Sequence, residues 1–427
     1  MQRPGAETLG KALEALSADE LRAFVVDSFA RLDDGTRMVL EDALLRRAAG
    51  GIAGWKPPSP EASVVEEAIS FAGAARQVRQ ADPSRVDHYL RQAVTASLAG
   101  NHQASHAIFR ALLAPIADAE IDLGQDELVE EVLSADLGDC AARYLAAAYV
   151  TTPSAERVDA VSAALQHVHG LAYLQDPVES MLSVLGSTPE DLAAFLSVWI
   201  DHLEREVQPS SRWDTDEDRW LRAAVGRRDG IAGLEGLARV TKRSESARAW
   251  CAAVVESGDW TSALAAYEAS AELMGTDHSR GEFLDGAAHA AYVLRRKDLP
   301  KKLEAAWSGA PSLLRLVRWL LVGEPSASAI RKRATNALAA RATKAPRLLG
   351  FLNVLVGEMG RAAQLLEKAP GLGWSHSEHP GHVLFPVFAW LLGGAPSDSV
   401  QEDVAQGLHL PLRDDFDFAP ELLGDSK

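Results

Sequence analysis

The sequence has few cysteines and no long hydrophobic run. Cys140 and Cys251 are the two cysteines among 427 residues, and neither lies in a paired motif, so we expect no disulfide framework and no cysteine zinc site. The longest apolar runs, near 313–322 and 383–392, are too short to cross a bilayer, and the first contains two arginines. The first ten residues lack the apolar core of a signal peptide. These absences favour a soluble protein of the reducing cytoplasm without membrane association.

Motifs for catalysis and nucleotide binding are also missing. The sequence contains no G-x-S-x-G nucleophile elbow and no G-x-x-x-x-G-K-[ST] phosphate-binding loop. The glycines within 226–236 do not follow a predicted strand, which a dinucleotide-binding turn requires. We therefore predict no catalytic residue and no cofactor, and we interpret the chain as a protein that is not an enzyme.

Helix-forming residues are abundant. Alanine, leucine, glutamate and arginine dominate, and runs of β-branched residues are scarce. Proline recurs after a capping residue, as in Asp176-Pro177 and Thr188-Pro189, at or near a first helical turn where its missing N–H has no consequence. The sequence therefore predicts an all-α protein.

The clearest pair of predicted helices covers 244–273. Gly258 can adopt the positive φ that ends a helix, and Asp259 can accept the free N–H groups of the next one. The second helix carries Trp260, Ala263 and Tyr267 on one side. Neither helix is long enough to be stable alone, so the pair requires packed neighbours.

The spacing of Gly258, Trp260, Ala263 and Tyr267 resembles the second half of a tetratricopeptide repeat. Partial matches to the same register recur over 89–109 and 349–369. The glycines of the three matches are not separated by multiples of the ~34-residue period of regular arrays. The resemblance implies an irregular solenoid of αα-hairpins, whose concave surface would bind peptides.

Breaks in the helical pattern divide the chain into four parts. We predict an N-terminal helical pair over 1–50, a helical-repeat domain over 61–207, a second one over 216–410 and an acidic-aromatic tail over 411–427. The linkers are the glycine- and proline-rich 50–60 and the segment 208–215. Within the N-terminal pair, Ser17 resembles an N-cap, and we expect Leu21 and Phe24 of the following helix to face inward.

Charge is unevenly distributed along the chain. The formal net charge of −17 argues against general binding to nucleic acid or anionic membranes. The segment 295–347 nevertheless has thirteen basic and three acidic residues. These bases either cover helix exteriors and pair with the acidic majority, or form a positive face for a partner. The residues of such a face would be Arg295, Arg296, Lys301, Lys302, Arg331, Lys332 and Arg333.

Nine of the ten tryptophans follow residue 198. Tryptophans at helical spacing usually belong to the core, but they could also line a groove that holds a peptide or bases. Trp307 and Trp319 lie inside the basic segment and are candidate anchors for a partner.

An acidic patch surrounds Gly124. It comprises Asp118, Glu120, Asp122, Asp126, Glu127, Glu130 and Glu131. Its simplest interpretation is a solvated loop followed by the negatively charged first turn of a helix. The alternative is a site for a divalent cation or a basic partner, although the spacing matches no EF-hand loop.

Two groups of histidines are weak candidates for metal binding. His376, His379 and His382 follow one another at three-residue spacing, and imidazole is a preferred ligand of zinc and iron. A proline and a glycine between them prevent a single helix from aligning them, so a connecting loop is the simpler interpretation. His102 and His106 would share one face of a predicted helix, where the repeat pattern expects a packed aromatic at His102.

These observations favour a non-enzymatic helical-repeat scaffold or adaptor that binds an acidic protein partner through a concave, partly basic surface. The alternative is a regulatory module that contacts nucleic acid or a small signal through the same basic segment. Binding to phosphates would weaken steeply with salt, whereas a mixed peptide groove would keep much of its affinity.

Overall fold

A computed structural model describes residues 6–51, 55–124, 128–207, 214–323, 325–341 and 343–367. Most of these residues form nineteen α-helices, and two short 3-10 turns occur at Val129–Glu131 and Ser154–Glu156. None of the described residues forms a strand. The prediction of an all-α protein is therefore confirmed for the described part of the chain. The predicted acidic-aromatic tail 411–427 lies outside it.

The chain divides into two compact units, residues 1–224 and 225–427. The helices of the first unit are α1 (Ala6–Glu14), α2 (Ala18–Phe29), α3 (Asp34–Gly51), α4 (Ala62–Val78), α5 (Pro83–Leu98), α6 (His102–Ala117), α7 (Leu137–Thr151), α8 (Arg157–Val168), α9 (Pro177–Leu185) and α10 (Leu192–Glu206). Helix α11 (Asp216–Thr241) contains the division and is interrupted at Gly230, whose φ of 63° and ψ of −147° are not helical. The predicted linker 208–215 precedes this division, and its residues 208–213 are not described.

The second unit contains the remaining helices. They are α12 (Ser244–Glu256), α13 (Trp260–Met274), α14 (Arg280–Val293), α15 (Leu299–Gly309), α16 (Leu313–Leu321), α17 (Ala327–Ala340), α18 (Pro346–Val356) and α19 (Met359–Glu367). From α12 to α19, each helix packs against the next one in the chain.

In the first unit the helices also contact the helix two positions further along. This holds for α4 with α6, α5 with α7, α6 with α8, α7 with α9, and α8 with α10. Helix α7 is at the centre of these contacts and is buried on nearly all sides, including Tyr144 and Tyr149. Its Arg143 is buried too, and its guanidinium donates to Asp139 at 2.9 Å and to the Ser97 hydroxyl at 3.3 Å. The positive charge of Arg143 is therefore buried together with hydrogen-bond acceptors that compensate for the loss of water.

The helix pair predicted over 244–273 is present as α12 and α13. Gly258 has a φ of 76° between them. The Asp259 carboxylate accepts the backbone N–H groups of Thr261 and Ser262 at 3.0 and 3.1 Å. Ala263 is fully buried, as expected where two helix axes approach closely. The turn prediction is therefore confirmed.

The N-terminal segment differs from the prediction. It contains three helices rather than two, and the N-cap of α2 is a complete capping box between Ser17 and Glu20. Leu21 and Phe24 were expected to face inward, but no residue of α2 is buried and Phe24 is 57% exposed. The apolar spacing is that of an amphipathic helix, but the described elements leave Phe24 exposed on this face of α2.

Both cysteines are free and buried, Cys140 in α7 of the first unit and Cys251 in α12 of the second. Among the described helices, none combines the length and hydropathy needed to cross a membrane.

Helices α13 and α14 approach each other closely at Gly286. A Cβ atom placed on Gly286 would lie 2.3 Å from Cε1 of Tyr267. We predict that Gly286→Ala destabilises this unit by about 1–3 kcal/mol, because the added methyl forces the two helices apart. Chemical denaturation followed by circular dichroism measures the change.

The control for this substitution is Gly236→Ala. Gly236 lies in α11 within the same unit, and its added methyl would meet no atom within 4 Å. Alanine there should leave stability unchanged or raise it by up to about 1 kcal/mol, because it lowers the entropy of the unfolded chain. Equal losses in the two variants would contradict the close contact at Gly286.

Candidate partner-binding surfaces

Helix α17 carries exposed positive charge outside its buried face. Ala334 and Ala337 are buried against the core, whereas Arg331 and Lys332 are exposed. The described helix contains no acidic residue, so it offers no carboxylate of its own to these two side chains.

Two further exposed bases follow near the end of α17, Arg341 and Lys344. Arg341 is about 15 Å from Arg331 along the helix axis, at 1.5 Å per residue. We call Arg331, Lys332, Arg341 and Lys344 the α17 basic surface. None of the four has an ion-pair partner among the described residues.

The other part of the predicted face lies at the turn between α14 and α15. Arg296 donates two hydrogen bonds to Asp298, at 2.8 and 3.2 Å. These bonds are the main cause that lowers the pKa of the Asp298 carboxyl below its ordinary value. Lys302 forms an ion pair with Glu268 of α13. Arg295 and Lys301 are exposed. The charges of Arg296 and Lys302 are therefore already neutralised within the chain.

Arg333 has a structural role instead of facing a partner. Its Nη1 donates to the backbone carbonyls of Trp319, Leu320 and Val322 at 2.9, 2.8 and 3.2 Å. These carbonyls lie at the C-terminal end of α16, where no further turn of helix exists to satisfy them. Arg333 thus caps α16 and is removed from the predicted positive face.

Two more arginines of the basic segment converge on one carboxylate. Arg315 donates to Asp285 of α14 at 2.7 and 2.9 Å and to the Ala310 carbonyl at 2.8 Å. Arg318 lies 3.9 Å from the same carboxylate. The pairing interpretation of the basic segment therefore holds for these residues, and the exposed charge is concentrated elsewhere.

The candidate anchors Trp307 and Trp319 lie in the core of the second unit. They are 1% and 6% exposed and pack with Leu303, Leu316 and Leu352. Their rings are covered by neighbouring helices, so neither indole is available on the surface as a partner anchor. The core interpretation of these tryptophans is the one that the structure supports.

The capping role of Arg333 can be separated from surface charge by substitution. We predict that Arg333→Gln destabilises the second unit by about 1.5–3 kcal/mol, because three carbonyls lose a charged donor. Arg331→Gln, which removes the same charge from the exposed face two residues away, should change stability by less than about 0.5 kcal/mol. Denaturant unfolding of both variants tests this, and similar losses would contradict the capping role.

The three candidate metal ligands His376, His379 and His382 lie outside the described residues. Within the described part, no group of three or more His, Cys, Asp or Glu side chains is arranged to hold a metal ion. His102 and His106 both lie in α6, as predicted. His102 is half-buried, and its Nδ1 has no hydrogen-bond partner.

A cluster of two histidines and a tyrosine joins α6, α7 and α8. The ring centroids of His106 and Tyr144 are 5.4 Å apart, and the Tyr144 hydroxyl lies 2.9 Å from Nδ1 of His167. Burial is the main cause that lowers the pKa of both histidines, and the charge of Arg110 lowers both further. Asp118 opposes this effect at His167. Both imidazoles are therefore held in their neutral form more strongly than in the unfolded chain.

This cluster makes the stability of the first unit dependent on pH. Because the folded pKa values are lowered, the unfolded chain binds more protons in mild acid, so the free energy of unfolding falls as the pH drops below about 6.5. We predict a shallower fall for His106→Gln/His167→Gln. Unfolding curves between ~pH 7.5 and ~pH 5.5 measure the slope.

The control for the pH experiment is His278→Gln. The side chain of His278 is 93% exposed, so this substitution removes a histidine without removing a buried one. It should keep the slope of the unaltered protein. A double variant that also kept that slope would contradict the role of the cluster.

The structure also contains a cleft that the sequence did not predict. It lies in the first unit and has a volume of about 280 Å³. It is lined by residues 128–130, Leu165, residues 168–174, Asp216 and Trp220. The sequence signals near it are the acidic patch around Gly124, which reaches its edge, and Trp220, one of the tryptophans that could line a groove. The predicted acidic first turn of a helix is here the 3-10 turn Val129–Glu131.

The acidic patch itself is partly tied to its surroundings. Glu120 forms an ion pair with Arg76 at 2.5 Å. The backbone of Asp122 accepts from Ala81 and donates to Arg79, at 2.9 and 3.2 Å. These contacts attach the segment before Gly124 to the end of α4. Glu130, further along the acidic patch, is exposed at the cleft.

Comparison with known proteins adds no family to these observations. No protein-family model matches the sequence, and no curated protein matches it significantly. The functional interpretation therefore rests on the burial, geometry and charge of the surfaces described above.

Proposed function

We propose that the chain is a non-enzymatic helical-repeat scaffold or adaptor of the cytoplasm that binds an acidic protein partner through the α17 basic surface. The observation that carries the proposal is the contrast within one basic segment. Arg296, Lys302 and Arg315 are neutralised by carboxylates of the chain. Arg331 and Lys332 are exposed and have no such partner in the described part of the chain.

Exposed charges of this kind set specificity and association rate more than they set affinity. An acidic segment of a partner would supply the carboxylates that α17 lacks, and Arg341 and Lys344 would extend the contact along the helix. Apolar contacts from the partner would then account for the strength of binding, because rim ion pairs alone are weak.

The repeat character of the proposal draws support from two features. Successive helices from α5 to α8 pack against one another, and each helix from α4 to α8 also contacts the helix two positions along the chain. Such local contacts are expected of stacked αα-hairpins. In the pair α12 and α13, Gly258 has a positive φ and Ala263 is buried, and both are positions of the resemblance to tetratricopeptide repeats. We propose that both units are irregular, tetratricopeptide-like arrays.

The experiment compares the unaltered protein with Arg331→Glu/Lys332→Glu. Each tagged protein is used to capture partners from its native cell extract at low and at moderate salt. Bound proteins are identified by mass spectrometry, and nucleic acid is assayed in the same eluate. The control, Arg31→Glu/Arg47→Glu, makes the same change in net charge at two exposed arginines of the first unit.

We expect an acidic protein that binds the unaltered chain and the control at moderate salt. The α17 variant should bind it at least about tenfold more weakly, because attraction becomes repulsion at two positions. Full binding by the α17 variant would refute the proposal. Nucleic acid that is released by moderate salt would instead support the regulatory module.

A further inference from the structure

Buried apolar side chains form part of the lining of the cleft in the first unit. Leu165, Val168 and Leu171 contribute to its lining and are each less than a tenth exposed. Trp220 also lines it, and its indole N–H donates to the Leu174 carbonyl at 3.0 Å. The polar atom of the indole is therefore satisfied within the chain, and the ring offers the cleft an apolar surface.

Two large side chains at the rim of the cleft are exposed. Leu128 is 52% exposed and Tyr173 is 74% exposed. The guanidinium of Arg219 lies 4.7 Å from the centroid of the Tyr173 ring, which orients the ring at the rim. Exposed apolar side chains beside a cavity with buried apolar walls are typical of sites that contact another molecule.

Two acidic side chains lie at the rim. Glu130 is exposed, and Asp216 lies 2.8 Å from Arg219 and 3.9 Å from His169. The surrounding sequence has the same sign, because residues 101–218 contain five basic and twenty-two acidic residues. This segment alone has a charge equal to the −17 of the whole chain. Its field attracts cations and repels phosphates and acidic peptides.

The size of the cleft limits what can occupy it. Sites for drug-sized organic ligands have volumes of roughly 300–1,000 Å³, and this cleft lies just below that range at about 280 Å³. Such a volume suits one or two side chains of a peptide that continues over the open rim.

We propose that this cleft is a docking site for a basic protein segment in which large apolar residues are flanked by Lys or Arg. The apolar side chains fill the space beside Leu165, Val168 and Trp220. A flanking cation pairs with Glu130, and the apolar part of the segment covers Leu128. The site is separate from the α17 basic surface and selects a partner of the opposite charge.

The proposal is tested by fluorescence anisotropy with a labelled peptide, Gly-Lys-Lys-Leu-Phe-Lys-Lys-Gly-Gly, and the full chain. One comparison peptide has glutamate in place of every lysine, and the other has serine in place of leucine and phenylalanine. We expect saturable binding of the first peptide and binding at least about tenfold weaker for each of the others.

Two substitutions at the rim test the location of the site. Leu128→Asp should raise the Kd of the first peptide about tenfold and Glu130→Lys about fivefold. Val198→Asp and Glu156→Lys are matched controls, because Val198 is 53% exposed on α10 and Glu156 is exposed elsewhere in the same unit. The controls should bind like the unaltered protein. Circular dichroism verifies that each variant is folded. Because Glu130 is exposed, Glu130→Lys is expected to fold, and it still tests the location of the site if Leu128→Asp unfolds.

A photo-crosslinking version of the peptide, with a benzophenone in place of phenylalanine, locates the contact directly. We expect crosslinks to residues 128–130 or 165–174. Three outcomes would each overturn the proposal: no saturable binding, equal binding of a comparison peptide, or crosslinks elsewhere. Arg331→Glu/Lys332→Glu should bind the peptide normally, so failure of the α17 surface and failure of the cleft are distinguishable.

Discussion

The first unit depends on the close packing of helices around α7. A helix that is buried on nearly all sides must have small residues, and α7 contains three consecutive alanines, 146–148, all essentially inaccessible to solvent. These residues let α5, α6, α8 and α9 approach the same helix. Because the surrounding helices meet at α7, its neighbours share one core, and the Tyr144 cluster and the loop after α8 are both held against that core.

Much of the helical structure could be predicted from local signals in the sequence. The turn at Gly258 and Asp259 and the proline start of α9 at Pro177 follow from capping rules that need only neighbouring residues. Helix α11 was not predicted, because its several glycines reduce helix propensity and Gly230 interrupts it. The exposure of Phe24 was not predictable either, since an amphipathic pattern shows which face is apolar but not whether another element covers it.

The candidate surfaces required tertiary information for the same reason. The sequence located the basic segment correctly, but it could not separate Arg331 from Arg333, which lie two residues apart and have opposite roles. That separation depends on the end of α16, more than ten residues away in sequence. The cleft combines residues from three separate stretches of chain, and the sequence indicated only the acidic patch at its edge and a set of candidate groove tryptophans that includes Trp220. Charge follows the same division: residues 1–224 have nineteen bases and thirty-six acids, whereas residues 225–427 have twenty-four of each.

The placement of the two thiols gives each unit its own chemical reporter. Cys140 is fully buried in the first unit and Cys251 is 2% exposed in the second. Burial raises the pKa of both, that of Cys251 to about 11, so the reactive thiolate is scarce at neutral pH and reagents are excluded. Alkylation of either sulfur must therefore wait until its own unit opens. The rates of modification at the two positions record the opening of the two halves separately, within one unmodified natural chain.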